Sequence, residues 1–429
     1  PCDMIGIMKI LLNAINAKYI HSNLAVYSLR AYAKEYREHI RLLEYTINNR
    51  VEEILEGIYK ERADVICFSC YIWNIAYVKE LIEELKKLCP NTPIWVGGPE
   101  VSYEVETLLA ENPGIDGVFI GEGEHTFKKV CRCYIEAEES EWEEELLRVP
   151  GIAYRKRDKT VAFTGMAEPV DMSTIPFCYE DMEQFKNKII YYESSRGCPF
   201  SCSYCLSSID KKMRFRDIEL VKKELGFFIE QEVPQVKFVD RTFNCSHTHA
   251  MEIWRFIKEK DLGKTNFHFE VAADLLTEEE LEYIASLAVK YDTYIITDEV
   301  YEHIIYAPNK HVYFASLPGM FERTISCSSL SKTYSITGWR LGYIIAPEHI
   351  IDVAKKVHDF LTVGASAPLQ EAAVVGLEFG EDYYKELQAL YTHKKDLFCN
   401  GLRELGIKYT EPQGAYYVLV DISEFGYDD

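Results

Sequence analysis

The sequence predicts an α/β protein of more than one domain, and three observations carry that expectation. First, from residue 8 to about 124 the apolar runs MKILLNAI, ADVICFSCYI, PIWVGGPE and GVFIGEGE alternate with amphipathic helical stretches near 24–36 and 75–88, the rhythm of a parallel sheet covered by helices. Second, each run leads into a loop where open parallel sheets bind their ligands. Third, the 429 residues are 48% hydrophobic and 13% aromatic, ample core material for roughly two or three domains on length.

Charge narrows the partners. Lys and Arg number 47 against 69 Asp and Glu, a net charge of −22, which disfavours nucleic acid and anionic membrane surfaces. No run approaches the ~18 apolar residues of a membrane span, and the first residues lack the order of a signal peptide, so a cytoplasmic protein is expected. Thirteen cysteines, three of them close together, point to reduced thiols and a metal site rather than a disulfide framework. The clean strand pattern opens at Met8, and residues 1–7 are set aside as upstream sequence.

The ligand-side loops of the first region read Asn13 to Asn23, Ser69 to Asn74, Gly97-Gly98-Pro99-Glu100 and Gly121-Glu122-Gly123-Glu124. None is a dinucleotide fingerprint, and GEGE by itself reads as a tight turn after a strand. Taken together, VGGPE followed by GEGE-x-TF (Gly121 to Phe127) resembles the cobalamin-binding domain that precedes many radical S-adenosylmethionine enzymes. The resemblance implies a Rossmann-like domain over residues 8–150 and cobalamin as a ligand. The D-x-H-x-x-G motif that supplies a lower axial histidine in some cobalamin proteins is absent; His21, in KYIHSN, lies in the corresponding loop without that context.

The acidic run EAEESEWEEELL, residues 136–147, reads as a solvated helix face. Residues 151–190 read as a connector, with VPGIAYRKRDKTVAFTG as a hairpin turning at Arg157 and Asp158, then a proline-containing passage.

In YYESSRGCPFSCSYC, Cys198, Cys202 and Cys205 form C-x3-C-x2-C directly after a strand. Three thiolates on one loop can hold three irons of a [4Fe–4S] cluster and leave the fourth open to the amino and carboxylate groups of S-adenosylmethionine. Zinc and plain buried thiols are the competing readings, but structural zinc usually takes four ligands and no second C-x2-C pair lies nearby. The motif resembles that of the radical S-adenosylmethionine superfamily, and the resemblance places Tyr204 beside the adenine. QVKFVDRTFN and NFHFEVAAD read as the next strands of a partial (β/α) barrel over 191–280, separated by the helix HAMEIWRFIKEK. Asp240, Arg241, Asn244 and Glu270 end or follow those strands and are expected to face the cofactor, with rim salt bridges as their alternative use.

From about residue 277 the text changes. YIITDEVY and SLSKTYSITGWRLGY resemble fold type I pyridoxal-phosphate aminotransferases. The resemblance makes Lys332 the catalytic Schiff-base lysine, Ser329 and Arg340 the phosphate ligands, Asp298 the partner of the pyridinium nitrogen and Tyr301 a hydrogen-bond partner of the ring oxygen. The family's phosphate-loop amides, stacking aromatic and ring-oxygen asparagine do not precede Thr277, and GAYYVLVDISEFG is not followed by the substrate-binding arginine. Residues 281–429 are therefore expected to be part of an aminotransferase large domain.

The helix after Thr277, with Glu280 spaced as a capping box, is the expected seam. The whole reads as an in-frame chimera of two truncated enzymes. Its leading expected function is radical S-adenosylmethionine chemistry, with a small-molecule substrate, an external reductant and linkage to cobalamin. Amino-acid transamination with pyridoxal 5′-phosphate, through a homodimer formed by the aminotransferase-like part, and a chain with neither activity are the alternatives.

Overall fold

A computed structural model describes residues 7–199, 210, 212–272 and 276–420. They fall into two compact units, one running to Ala272 and one following it.

The first unit opens with β1 (Ile10–Asn16), α1 (Leu24–Tyr32), β2 (Ile40–Thr46), α2 (Val51–Glu61), β3 (Val65–Ser69), α3 (Ile75–Leu88) and β4 (Ile94–Gly97). Next come α4 (Val105–Glu111), β5 (Gly117–Phe119), α5 (Gly123–Glu136), α6 (Trp142–Leu147), β6 (Ile152–Arg155) and β7 (Val161–Phe163). The seven strands form one sheet in the order β2-β1-β3-β4-β5-β6-β7. The first five strands of that order are parallel, and the last two add on antiparallel.

Alternation along β1 explains the two-sided core. Leu12 points with Trp95, Phe119 and Phe127 toward α1 and α5, whereas Leu11 points with Ile66 and Val96 toward α2 and α3. All of β1 is buried, as a central parallel strand covered on both faces must be, and each such Leu or Ile contributes about 1.5–3 kcal/mol. The hairpin read as part of a connector is present as β6 and β7, but it extends the sheet, because Ile152, Ala153 and Tyr154 are buried against it. The acidic run does not form one continuous helix: it divides between α5 and α6, and Trp142 packs edge-on against Tyr134 at 4.7 Å.

The unit continues with β8 (Ile190–Tyr192), β9 (Ser195–Arg196), β10 (Arg214–Phe215), α7 (Ile218–Glu230), β11 (Gln235–Phe238), α8 (His247–Lys260) and β12 (Asn266–His268). Strands β12-β11-β8 make a parallel three-stranded sheet, and β9 pairs antiparallel with β10. This is part of a (β/α) barrel, and Phe228, Phe238 and Phe243 share one apolar cluster with the α1 and α5 face of the first sheet.

A buried charge ties the two sheets together. Glu44 on β2 accepts hydrogen bonds from Lys188 Nζ at 2.6 Å, Asn16 Nδ2 at 3.0 Å and the Asn23 amide at 3.2 Å, and also from the Tyr27 hydroxyl. The Lys188 and Glu44 side chains are only 12% and 11% exposed.

The second unit contains α9 (Glu278–Lys290), β13 (Ile295–Asp298), β14 (Thr324–Ser329), α10 (Leu330–Thr333), β15 (Gly342–Ile345), α11 (Glu348–Thr362), α12 (Ala367–Leu377) and α13 (Glu381–Glu404). The capping box forms as the spacing predicts: Thr277 Oγ1 accepts from the Glu280 amide at 3.3 Å and Glu280 accepts from the Thr277 amide at 2.8 Å. Its sheet runs β13-β14-β15, parallel then antiparallel, over small apolar clusters around Ala285 and Met320 and around Leu330 and Leu341. Among the described residues no helix is long and apolar enough to cross a membrane.

Lys188→Met leaves Glu44 buried without its cation and is expected to cost about 3–5 kcal/mol. Combining it with Glu44→Gln should recover most of that loss. Urea unfolding monitored by tryptophan fluorescence checks both.

Candidate functional site

The cysteine loop leaves β9 through Gly197, whose φ of +93° and closeness to the returning chain demand glycine: a Cβ there would lie 2.7 Å from the Lys212 carbonyl. Cys198 follows, 8% exposed, and its amide donates to the Asp210 carbonyl at 2.9 Å. Cys202, Tyr204 and Cys205 lie outside the described residues. Within those residues no three His, Cys, Asp or Glu side chains come together to hold a metal.

The two-stranded pairing places Arg196 directly opposite Arg214, so the loop's base carries two adjacent guanidinium groups. Carboxylates from the loop after β5 and from beside the ribbon neutralise them. Arg196 donates to Glu124 at 2.5 Å and to Glu193 at 2.9 Å, and Arg214 donates to Glu122 at 3.0 Å and to Asp210. Burial pushes the Glu124 carboxyl up, but Arg196 more than reverses this and holds it below the ordinary range. The GEGE loop, read from sequence as a turn and as part of the cobalamin-domain resemblance, thus clamps the base of the cysteine loop.

Behind the loop, Asp240 is 1% exposed and points inward. Its carboxylate accepts from the Ser194 amide at 3.0 Å and from the Ser194 and Ser195 hydroxyls at 2.6 Å each. Burial pushes it up to about 6 despite those three donors. Its carboxylate holds the segment entering β9, and His249 Nε2 lies 3.3 Å from the Ser194 hydroxyl. Thr242 Oγ1 lies 3.6 Å from Cys198 Sγ. Sequence reading missed Ser194, Thr242 and His249, since hydroxyl and imidazole groups carry no motif there. Asn244 Oδ1 accepts from the Ala272 amide at 2.8 Å, and its Nδ2 donates to the Ala272 carbonyl at 2.9 Å. Glu270 has a half-exposed side chain 3.6 Å from Lys237, and Arg241 is exposed. Cys198, at a fixed loop base and against a buried hydroxyl, fits one thiolate ligand of an iron–sulfur cluster.

Because β1, β3, β4 and β5 are parallel, their C-terminal ends share one edge of the sheet. There Gly98, at φ +117°, lets the chain pass the Cys70 carbonyl, which a Cβ would meet at 2.4 Å. Asn74 fixes the loop after β3 by donating to the Ile15 and Ser69 carbonyls. Tyr71 and Trp73 stack at 4.4 Å, and Tyr19, Ile20, Ile72 and Tyr103 are exposed along this edge. These loops leave exposed apolar side chains at the ligand side of the sheet. His21 Nδ1 pairs with the Tyr191 hydroxyl at 2.6 Å.

In the second unit, strand pairing brings Asp298 beside Cys327, so Asp298, Ser329 and Lys332 share one end of the β13–β14 pair. Lys332 Nζ donates to the Tyr416 hydroxyl at 2.6 Å and lies 6.0 Å from the centre of the Tyr301 ring, whose hydroxyl bonds Tyr417. The Tyr416 hydrogen bond raises the lysine above its ordinary value, opposite to what a Schiff-base amine needs. Asp298 is exposed, where a pyridinium partner is served by burial. Ser329 Oγ caps α10 at the Ser331 amide, and Arg340 is exposed with Nη1 on the Thr337 carbonyl. The expected set is brought together, but it does not fit the cofactor as placed.

Residues 10–131 match the family model for the B12 binding domain, 192–297 that for the radical SAM superfamily, and 272–425 that for aminotransferase class I and II. The cobalamin-dependent S-adenosylmethionine radical enzyme OxsB, solved with aqua-cobalamin and S-adenosylmethionine, superposes with a TM-score of 0.53 at 18% identity, covering 69% of this chain and 44% of that one. The radical S-adenosylmethionine methyltransferase TsrM from Kitasatospora setae gives a TM-score of 0.51 at 17% identity over 68% of this chain and 60% of that one. Both likenesses are of fold. Kynurenine--oxoglutarate transaminase of Dictyostelium discoideum is 40% identical over 151 residues, 34% of this chain and 35% of its own length, and kynurenine--oxoglutarate transaminase 3 of Homo sapiens is 40% identical over 152 residues, 34% of each. The chain spans about a third of the length of these curated relatives. Residues 272–297 belong to both the second and third matches, and the division between the two compact units falls at Ala272. The chain therefore carries in order a B12-binding-type domain, a radical SAM-type partial barrel and an aminotransferase-type segment, consistent with a chimera.

Proposed function

We propose that the first unit is a radical S-adenosylmethionine iron–sulfur protein with a cobalamin-type domain, acting on a small molecule and fed by an external reductant. The observation that carries this is the clamped loop: Cys198 is buried at the head of a C-x3-C-x2-C segment whose two ends are ion-paired to the preceding domain. When bound, a four-iron cluster with one open iron supplies the electron that cleaves S-adenosylmethionine to a 5′-deoxyadenosyl radical.

The chain's own residues have separable tasks. Cys198, Cys202 and Cys205 hold three irons, and Tyr204 lies along the adenine. Asp240 orders the strand entry through Ser194 and Ser195 rather than meeting the cofactor. Glu270, half exposed just after β12 and 3.6 Å from Lys237, is a carboxylate that could meet the amino group of S-adenosylmethionine. Glu122 and Glu124 keep the loop's base in register and couple it to the sheet edge where cobalamin would lie.

Anaerobically reconstituted protein is expected to hold close to four irons per chain with the broad visible absorption of a cluster, and the triple Cys→Ala variant at 198, 202 and 205 to lose both. Retention of all iron by that variant overturns the proposal. Glu124→Gln weakens the grip on Arg196 and is expected to lower iron retention severalfold while leaving the far-ultraviolet dichroism unchanged, as iron assay and dichroism together would show.

The second unit, in this reading, carries the aminotransferase-like pattern without a working site. Mixing the protein with pyridoxal 5′-phosphate is expected to give no visible band that Lys332→Ala abolishes. Such a band would reinstate transamination.

A further inference from the structure

We propose that the Thr242 hydroxyl is a positioning donor to the Cys198 sulfur and sets how readily a cluster held there is reduced. The inference rests on the radical S-adenosylmethionine reading of the same loop and adds a residue that reading does not assign. Oγ1 of Thr242 stands 3.6 Å from Cys198 Sγ, and the two residues are 3% and 8% exposed. In a free thiol either group can donate. A thiolate bound to iron carries no proton, so the hydroxyl must donate and the sulfur accept.

The backbone that carries the hydroxyl is held from both sides. Asp240, two residues earlier, is fixed by the Ser194 and Ser195 hydroxyls, and the Thr242 carbonyl accepts from the Cys245 amide at 3.1 Å. Next along the chain, the Phe243 amide donates to the Glu270 carbonyl at 3.0 Å. A donor so fixed in a buried setting withdraws charge from the sulfur with little reorganisation. Reduction adds one electron, delivered by the external reductant, with no bond made or broken at Thr242. Since the reduced cluster is the more negative state, the hydrogen bond stabilises it and raises the potential. Valine has nearly the same shape without the donor; serine keeps the donor and loses a methyl group.

The test is a redox titration, followed by electron paramagnetic resonance, of the reconstituted full chain and its Thr242→Val and Thr242→Ser variants at matched iron content. Thr242→Val is expected to make one-electron reduction up to about tenfold less favourable, a downward shift of about 59 mV, while Thr242→Ser stays at the wild-type value. An unchanged valine variant, or equal shifts in both variants, overturns the inference while leaving the cluster reading intact. A wild-type protein with no reducible cluster overturns both. If the valine variant holds no iron, pulsed resonance on wild type and Thr242→Ser decides: a deuterium-exchangeable proton coupled to the reduced cluster is expected in both, and its absence overturns the inference.

Discussion

Two arginines facing each other across a two-stranded ribbon repel, and the structure places that repulsion at the base of the cysteine loop. Arg196 and Arg214 are registered partners, both largely buried, so each needs a carboxylate before the ribbon can close. The counter-charges come from Glu122 and Glu124 after β5 and from Glu193 and Asp210 beside the ribbon. Such pairs add little net stability against an apolar alternative, but breaking one leaves an uncompensated buried charge. Here the GEGE carboxylates, with Glu193 and Asp210, supply the counter-charges that the observed pairing needs.

From that constraint the rest of the site follows. With the ribbon closed, Gly197 passes the Lys212 carbonyl, Cys198 turns inward onto Thr242, and Asp240 secures the approach through two serines. The same docking brings β8 alongside the loop after β1, where Tyr191 meets His21, while Lys188, just before β8, meets Glu44 on β2. The cobalamin-type sheet is thus part of the wall that shapes the cysteine loop, which accounts for one continuous apolar cluster running from Trp95 to Phe243.

What the sequence made legible was whatever has a strong period or a dense motif. The fully buried β1, the capping box at Thr277 and the spacing of Cys198, Cys202 and Cys205 could be read directly. Strand β2 and helix α2 were passed over, because β2 lies at the sheet edge and carries Arg41 and Glu44 in its apolar run. The hairpin at 152–163 was recognised but not its place on the sheet, since pairing to β5 is a long-range choice that local pattern does not encode. At the site, Asp240 was read as a strand-end acid facing the cofactor, whereas its carboxylate is taken up by the serines forty-five and forty-six residues earlier. Glu122, Glu124 and Thr242 gain their importance only from partners distant in sequence.

In the second unit Lys332 is engaged by Tyr416, and Asp298 is exposed. The account therefore stands on the first unit. The most direct measurement is the low-temperature electron paramagnetic resonance spectrum of anaerobically reconstituted, dithionite-reduced protein with and without S-adenosylmethionine. The account predicts a cluster signal that shifts when S-adenosylmethionine is added, because one iron is left open by three cysteines. No signal, or a signal indifferent to that addition, would contradict it.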